Sequence, residues 1–402
     1  MPFSTLGLSP ALCTPLARLG YDHPTRVQAE SIPVVLSGAD LLARAQTGTG
    51  KTAAFGLPML HRLMTRSAGA RRAPRGLVLV PTRELAVQVH RALAEYGAPA
   101  NLRVTAIFGG VPMRAQVQTL QRGTDVVVAT PGRLIDHLQR RTVDLTKVEI
   151  LTLDEADRML DMGFLPPLRI VAAALPRTRQ TLLFSATLPP GVVRLSKEFT
   201  RTPVHVDVSA GHAVAPTVTH RIHPVADDRK RDLLVHVLKQ PRGEQALVFC
   251  KTKRGSDRIG DWLTRAGIVA AVIHGNKSQA VRTRALGDFR QGRVRVLVAT
   301  DIAARGLDIA ELPLVINYDL PMVAEDYIHR VGRTGRAGRA GVAVSLVSGA
   351  DRKLLRDIQR LLPMPPEQVV EGFSGSQRDG RAWQSPSPRT STPLRAGTRT
   401  HQ

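Results

Sequence analysis

The residues best suited to chemistry form a glycine-rich stretch near the start of the chain, Ala45-Gln46-Thr47-Gly48-Thr49-Gly50-Lys51-Thr52. It follows an apolar run and precedes a helix-patterned segment that begins at Ala53. Glycines there let backbone N–H groups turn toward phosphate oxygens, and the start of a helix adds partial positive charge. Lys51 would reach the β- and γ-phosphates of a nucleotide, and the Thr52 hydroxyl would ligate Mg²⁺. We therefore predict a nucleoside triphosphate site, although Ala45 stands where the general pattern has a glycine, and a plain glycine turn is the alternative.

Two adjacent acids supply the other half of such a site. Asp154 and Glu155 follow the apolar run 149–153, which places them at the end of a buried strand, where open α/β sheets bind ligands. One carboxylate can hold Mg²⁺, usually through water, and its neighbour can polarise an attacking water. Two acids at a strand end are weak evidence alone. Together with a phosphate loop about 100 residues upstream, they predict nucleotide hydrolysis.

Short apolar runs, spaced by helix-patterned segments, must position these residues. Six lie in the first half, at 40–43, 76–80, 104–108, 125–129, 149–153 and 181–184, and five in the second, at 246–250, 270–273, 294–299, 314–318 and 342–347. Such runs are typical of strands buried on both faces of a parallel sheet. They predict two doubly wound α/β domains, over residues 1–208 and 218–366. The small, polar stretch 209–217 is the predicted linker, and the Ser/Pro/Gly/Arg-rich segment 367–402 is predicted to be a basic disordered tail.

The charge balance indicates a polyanionic partner. The 402 residues include 56 Lys and Arg against 33 Asp and Glu, a formal net charge of +23. A GC-rich genome would favour arginine over lysine, but it would not set the sign of the net charge. Nucleic acid is therefore the expected partner.

The remaining composition predicts a cytoplasmic protein. Cys13 and Cys250 lie far apart without metal-ligand spacing, which favours a reducing compartment over a disulfide framework. The N-terminus shows no signal-peptide pattern, and no apolar run reaches about 18 residues, the length of a membrane span. No membrane association is expected.

Taken together, these motifs resemble those of the DEAD-box RNA helicases. Asp-Glu-Ala-Asp stands at 154–157, the resemblance covers roughly residues 3–362, and nearly every family motif occurs in order. The opening FSTLGLSP and the later HGNKSQ are most similar to the bacterial RhlE-type branch. The resemblance implies two tandem RecA-like domains, ATP and Mg²⁺ as cofactors, and an ATPase that is complete only when the domains close.

The resemblance also assigns the nucleotide contacts. Phe3 stands 17 positions before the segment 20–28, as in the family's Q motif, which implies that Gln28 reads adenine and Phe3 packs on the base. An amide can bond bidentately to adenine N6 and N7. The implied nucleotide contacts are Phe3, Tyr21, Thr25, Gln28, Ala45, Gln46, Thr47, Gly48, Thr49, Gly50, Lys51, Thr52, Gly306 and Asp308. Thr52 and Asp154 would hold the metal.

Catalytic, coupling and RNA-binding roles follow from the same resemblance. Catalysis falls to Lys51, Asp154, Glu155, Arg333 and Arg336, with Arg336 as the arginine finger that meets charge on the transferring phosphoryl group. Coupling between the ATP and RNA sites falls to Asp157, Ser185, Thr187 and His329. The implied RNA contacts are Pro81, Thr82, Arg83, Gly109, Gly110, Thr130, Gly132, Arg133, Lys251, Thr252, Gln279, Thr300 and Arg305.

The predicted function is local separation of short RNA duplexes, driven by ATP-dependent closure of two domains on one strand, with little sequence specificity. Two alternatives stay open. The DEAD and Q motifs disfavour a DNA-translocating helicase, and the intact Lys51, Glu155, Arg333 and Arg336 disfavour an RNA clamp that has lost catalysis. A bacterial member could act in ribosome assembly, RNA turnover or cold adaptation, with ribosomal particles or RNA-decay proteins as partners. A monomer is expected.

Overall fold

The computed structural model describes residues 2–46, 48–64, 73–208, 217–240, 244–304, 309, 312–335 and 340–362. Within those ranges the chain folds into two parallel sheets, each covered by helices on both faces, as predicted. None of the helices described is long and apolar enough to cross a membrane.

The strands of the first domain are β1 (Leu41–Arg44), β2 (Gly76–Leu79), β3 (Val104–Ile107), β4 (Val126–Ala129), β5 (Ile150–Leu153), β6 (Gln180–Ser185) and β7 (Val204–Asp207). They form one sheet in the order β3-β4-β2-β5-β6-β1-β7, and neighbouring strands are parallel throughout. Its helices are α1 (Pro10–Arg18), α2 (Arg26–Ser37), α3 (Lys51–Met64), α4 (Arg83–Gly97), α5 (Met113–Gln121), α6 (Pro131–Gln139), α7 (Ala156–Asp161), α8 (Leu165–Ala173) and α9 (Pro190–Phe199).

The strands of the second domain are β8 (Val218–Pro224), β9 (Ala246–Phe249), β10 (Ala270–Ile273), β11 (Val296–Ala299), β12 (Leu314–Asn317) and β13 (Gly341–Val347). Their order is β10-β11-β9-β12-β13-β8, and all pairs are parallel. Its helices are α10 (Lys230–Leu238), α11 (Lys253–Arg265), α12 (Gln279–Arg290), α13 (Asp301–Ala304), α14 (Ala324–Val331) and α15 (Arg352–Leu361). Short 3₁₀ helices occur at Phe3–Leu6, Ala98–Ala100, Asp227–Arg229 and Gly349–Asp351.

Successive side chains of a strand point to opposite sides of the sheet. Because the central strands are mostly apolar, both faces of each sheet are apolar. In β2, Val78 joins one core cluster and Leu79 the other. In β9, Val248 and Leu247 divide in the same way between the clusters of the second domain. This double burial explains why continuous apolar runs predicted these strands.

The two strands that the sequence analysis missed lie at the sheet edges. β7 buries only Val206 of its four residues, and β8 is mostly polar, with two of its seven residues buried. A strand with so many polar residues carries no continuous apolar run, whereas the other edge strands, β3 and β10, are apolar enough to be predicted. The predicted segments 209–216 and 367–402 lie outside the described residues. Thr217 is bonded to the second domain, since its hydroxyl donates to the Gly335 carbonyl (2.7 Å).

Candidate active site

The phosphate loop connects β1 to α3, as predicted, and Thr47 is its one residue outside the described ranges. Gly48 and Gly50 adopt φ angles of +88° and +91°, which side chains with a Cβ rarely tolerate. A Cβ on Gly50 would also collide with the side chain of Gln28. The Ala45 N–H donates to the Ser185 carbonyl (2.9 Å), which joins the loop to the end of β6. The loop is therefore held in a curled shape that exposes backbone N–H groups at the start of α3.

Lys51 is buried at the start of α3, and its ammonium has no hydrogen-bond acceptor among the described residues. The nearest carboxylate oxygen is Oδ1 of Asp154, at 3.9 Å. A buried charged donor without an acceptor is costly, so the position suits an anion such as a phosphate. Thr52 and Asp154 add a hydroxyl and a carboxylate oxygen, the hard donors that Mg²⁺ prefers. The residues present thus fit both a nucleotide and its metal.

Asp154 and Glu155 stand directly after β5 and are both buried. Burial raises the pKa of Asp154 to about 6, against the opposing effect of the Lys51 charge. Glu155 has φ +54°, the left-handed region, and its N–H donates to Oδ1 of Asp154 (2.9 Å). Non-glycine residues in this conformation cluster at functional sites. Oε2 of Glu155 lies 3.5 Å from Nη1 of Arg158 and accepts no hydrogen bond from the residues that the structure describes.

The coupling residues of the first domain lie together next to this pair. Oδ2 of Asp157 accepts bonds from the Thr187 hydroxyl (2.8 Å) and backbone N–H (2.9 Å). Ser185 donates its hydroxyl proton to the Thr187 carbonyl (2.6 Å) and accepts from the Asp157 N–H (3.3 Å). Burial acts to raise the pKa of Asp157, but the Lys51 charge and the Thr187 hydrogen bonds outweigh it and lower that pKa. Asp157 therefore stays ionised, and its hydrogen bonds connect the segment after β5 to the segment after β6.

At the adenine end, Gln28 is buried and bonded within the protein. Its Oε1 accepts from the Thr25 N–H (2.8 Å), and its Nε2 donates to the Gly50 carbonyl (3.1 Å). A side-chain amide has capacity for further bonds, so one N–H and one lone pair remain for a base. Phe3 is only 4% exposed within the first core cluster, whereas Tyr21 is exposed and its hydroxyl accepts a bond from Tyr96 (3.5 Å). The burial of Phe3 gives it a structural role, and its contact with adenine stays a prediction.

The predicted RNA contacts of the first domain lie after neighbouring strands, at one edge of the sheet. Pro81, Thr82 and Arg83 follow β2, the pair Gly109 and Gly110 follows β3, and Thr130, Gly132 and Arg133 follow β4. A Cβ on Gly110 would overlap the Arg83 guanidinium, which explains the glycine pair. The Arg133 guanidinium donates to the Val111 carbonyl (2.9 Å), so this arginine supports the glycine loop rather than projecting freely.

In the second domain, Lys251 and Thr252 are exposed after β9, and the Thr252 hydroxyl caps α11 by accepting the Gly255 N–H (2.9 Å). Gln279 begins α12, and the buried Thr300 directly follows β11. The predicted site residues Arg305, Gly306, Asp308 and Arg336 lie outside the described residues.

An ionic contact that the sequence analysis missed joins the two domains. Glu84, one residue after Arg83, accepts a bond from Nε2 of Gln279 (3.1 Å) and pairs with Arg282 (2.8 Å). Glu84 and Arg282 are buried, and Gln279 is half-buried. Glu84 directly follows the predicted RNA contacts Pro81, Thr82 and Arg83. Nothing in the sequence around Glu84 indicates that its partner is Gln279, 195 residues away. Gln279, predicted to bind RNA, therefore also forms part of the domain contact.

His329, Arg330 and Arg333 of the second domain line a small cavity of about 10 Å³ together with Arg158 of the first domain, the ion-pair partner of Glu155. Burial, with the nearby Arg158 charge, lowers the pKa of His329 to about 4, so the imidazole is neutral at pH 7. Arg330 has a structural role, because its guanidinium binds both carboxylate oxygens of Asp301 (2.6 and 2.7 Å) and lies 4.9 Å from the centroid of the Phe249 ring.

Comparison with known proteins places these features in a family. Residues 25–195 match the DEAD/DEAH box helicase model, and residues 229–338 match the helicase conserved C-terminal domain. The DEAD-box ATP-dependent RNA helicase CshA of Bacillus cereus is 40% identical over 381 residues, which cover 94% of this chain and 72% of CshA. The ATP-dependent RNA helicase DeaD of Klebsiella pneumoniae is 43% identical over 368 residues, which cover 91% of this chain. The matched region spans 57% of the length of DeaD.

Among solved structures, S. cerevisiae Dbp5 bound to RNA and ADP BeF3 superposes with a TM-score of 0.83 at 31% identity, covering 92% of this chain and 95% of Dbp5. A Dbp5 variant bound to Gle1 and IP6 gives a TM-score of 0.74 at the same identity and the same coverage of this chain. The domain arrangement described above is thus more similar to that of Dbp5 with RNA and a nucleotide analogue. Two tandem RecA-like domains, the motif order and these relatives show that the chain belongs to the DEAD-box family of RNA helicases.

Proposed function

We propose that the protein is an ATP-dependent RNA helicase that hydrolyses ATP between its domains and locally separates short RNA duplexes. One observation carries the proposal: Arg333 and His329 of the second domain share a cavity with Arg158, which pairs with Glu155 of the first. This contact supports a single site that takes its carboxylates from one domain and its basic residues from the other, and that is complete only when the domains meet. The TM-score with RNA-bound Dbp5 supports the same arrangement.

Each residue of the site then has a chemical role. Lys51 neutralises phosphate charge, and Thr52 and Asp154 hold Mg²⁺, which when bound neutralises the phosphates and orients the leaving group. Glu155 accepts a proton from the attacking water through Oε2, which accepts no hydrogen bond from the described residues. Arg333 and Arg336 stabilise charge on the transferring phosphoryl group. Gln28 reads the adenine with its remaining donor and acceptor.

RNA binding rests on the loops that follow β2, β3 and β4 and on Lys251, Thr252, Gln279, Thr300 and Arg305. Their backbone N–H groups, hydroxyls and charges suit phosphate and sugar contacts, which carry little sequence information. RNA and ATP both bridge the domains, so each favours the closed state that the other requires. Asp157, Ser185, Thr187 and His329 connect the two sites.

The finer assignments are proposed on the sequence alone. They are a linker at 209–217, a second domain ending near 366, membership of the RhlE-type branch, a cytoplasmic monomer, and a role in ribosome assembly or RNA turnover. The relatives compared above are DeaD and CshA, so the RhlE-type branch stays a prediction.

The test compares ATPase stimulation by RNA and by DNA of equal sequence, alongside strand separation of a short RNA duplex. We expect strong stimulation by RNA, little by DNA, and duplex separation that requires ATP. Equal stimulation by DNA would favour a DNA-translocating enzyme, and tight RNA binding without turnover would indicate a clamp. Lys51→Ala is the control, because it removes the phosphate-facing charge and should abolish turnover in either case.

A further inference from the structure

A groove of about 670 Å³ follows one face of α11 in the second domain. We call it the α11 groove; its lining includes Lys251, Arg258, Trp262, Arg265 and Tyr318. Of these residues, only Lys251 belongs to the RNA contacts that the resemblance implies. The groove therefore begins at the RNA-facing edge of the sheet and continues away from it.

Helix geometry places three of the groove residues in one row along α11. Arg258, Trp262 and Arg265 are separated by four and three positions, so they lie on the same side of α11. From the capping Thr252 to Arg265 the helix rises about 20 Å, at 1.5 Å per residue. A strand that contacts Thr252 could follow this row over a few nucleotides.

The row carries positive charge that the protein does not neutralise. Arg258 and Arg265 are exposed, and neither they nor Lys251 form an ion pair with a carboxylate among the described residues. Two acids also line the groove, Asp261 and Asp319, and Oδ2 of Asp319 accepts the Lys251 backbone N–H (2.8 Å). The four basic residues of the lining, Arg231, Lys251, Arg258 and Arg265, outnumber these acids. The arginines are thus available to phosphate oxygens.

Two aromatic side chains accompany these charges, Trp262 within the row and Tyr318 elsewhere in the groove lining. The Arg231 guanidinium stacks 5.0 Å from the centroid of Trp262, which fixes the indole while its ring still lines the groove. Burial raises the pKa of Tyr318 to about 12, so its phenol stays uncharged and does not repel phosphate. Arginines interleaved with aromatic rings are the chemistry that binds single-stranded nucleic acid, phosphates on the charges and bases on the rings.

We propose that the α11 groove binds single-stranded RNA as an extension of the RNA path beyond Lys251 and Thr252. The inference rests on the proposed RNA-binding function and adds to it a second segment of bound strand. Phosphates contact Arg258 and Arg265, and a base stacks on Trp262 or Tyr318. The protein consequently prefers duplexes with a single-stranded overhang, since a blunt end cannot reach the groove.

The first test measures binding of fluorescent oligouridylates of increasing length to the full chain in the presence of an ATP analogue. The groove variant is Arg258→Gln with Arg265→Gln. The matched control is Lys353→Gln with Arg356→Gln, which removes the same charge from exposed positions of α15. We expect the groove variant to weaken binding of long RNA about tenfold, to leave short RNA unchanged, and to lower the salt slope by about 1.4, or about 0.7 per phosphate contact.

The second test observes Trp262 directly. The chain has two tryptophans, Trp262 and Trp383, so Trp383→Phe leaves Trp262 as the single indole reporter. Long RNA should quench its fluorescence by base stacking, whereas short RNA should not. The quenching should disappear when Arg258→Gln and Arg265→Gln are added.

The outcomes separate this inference from the proposed function. If wild-type protein fails to bind RNA of any length, the proposed function fails. If it binds RNA but the groove and control variants behave alike, and Trp262 fluorescence does not respond, the function stands and the groove inference is wrong. An acidic peptide that quenches Trp262 while long RNA does not would likewise overturn it.

Discussion

At the residue scale, the nucleotide site contains buried charges that the free protein leaves incompletely satisfied. The Lys51 ammonium and one oxygen of Glu155 form no hydrogen bond with the described residues. Buried polar groups are normally paired, so each such atom needs an explanation. A bound triphosphate would pair the ammonium, and an attacking water would pair the carboxylate. The atoms that lack a hydrogen-bond partner among the described residues are thus those that the reaction requires.

Glu155→Gln should slow ATP hydrolysis by about 10²–10⁴-fold while ATP and RNA still bind. The amide keeps the size of the side chain but cannot take a proton from water. RNA should then remain trapped with ATP in the closed state. Single-turnover hydrolysis and RNA dissociation, measured on the same preparation, check both points. Turnover within about threefold of wild type would show that Glu155 is not the base.

Arg336→Ala should lower the RNA-stimulated rate by about 10³–10⁵-fold and leave nucleotide affinity nearly unchanged, because the contact forms mainly in the transition state. Arg330→Ala is unsuitable as a control, since Arg330 is buried in a bidentate pair with Asp301 and its loss would destabilise the second domain. The exposed Arg356→Ala on α15 removes the same charge without a buried partner. Equal losses in Arg336→Ala and Arg356→Ala would indicate a general charge effect.

At the element scale, burial decides which features the sequence reveals. Central strands such as β2 and β9 are apolar on both faces, so their runs are visible in the sequence. The edge strands β7 and β8 face solvent on one side and have no such run. Loops at the carboxyl ends of strands could be placed because their motifs directly follow the runs. The contact between Glu84 and Arg282 could not be predicted from the sequence, since it depends on how the two domains meet.

Exchanging the charges of that contact tests whether α4 and α12 must meet for activity. Glu84→Arg and Arg282→Glu should each reduce RNA-stimulated ATP hydrolysis at least tenfold, because each places two like charges in a buried interface. The double exchange should recover a substantial part of the rate. Energy transfer between dyes on the two domains would report closure independently. If the double variant is as inactive as the sum of the singles predicts, the pair does not couple the domains.

His329 on α14 should make closure sensitive to acid. Its pKa is lowered to about 4 by burial and by Arg158, compared with an ordinary value near 6.5. Between those two pH values the open form takes up a proton that the closed form excludes, so closure weakens as the pH falls from 7 to 5. Energy transfer between the domains, measured with RNA and an ATP analogue, should decrease over this range.

His329→Gln isolates that contribution. Asp154 titrates in the same range, with a pKa of about 6, but its effect is present in both proteins and cancels in their difference. The variant should therefore show a flatter pH dependence than wild type. Identical pH profiles would mean that the imidazole remains solvated in both states and does not titrate with closure.

At the scale of the whole molecule, we expect the arginine-rich segment 367–402 to add to RNA affinity. After Gly372 the chain carries five arginines, at 378, 381, 389, 395 and 399, against the single acid Asp379. Truncation after Pro366 should leave the maximal RNA-stimulated ATPase rate nearly unchanged, because every motif lies upstream. It should raise the RNA concentration needed for half-maximal stimulation. Titration of RNA against ATPase rate with the full-length and truncated proteins measures both quantities.

Salt dependence decides whether the arginines of this segment act on RNA or only on solubility. Each phosphate contact that is lost should lower the slope of log affinity against log salt by about 0.7 on single strands. A full-length variant with the same five arginines changed to glutamine is the matched control, because it keeps the length and removes the charge. Its curves should coincide with those of the truncated protein. If the truncated, substituted and wild-type curves superimpose at every salt concentration, the segment has no RNA role, and the α11 groove and the domain cleft account for all of the affinity.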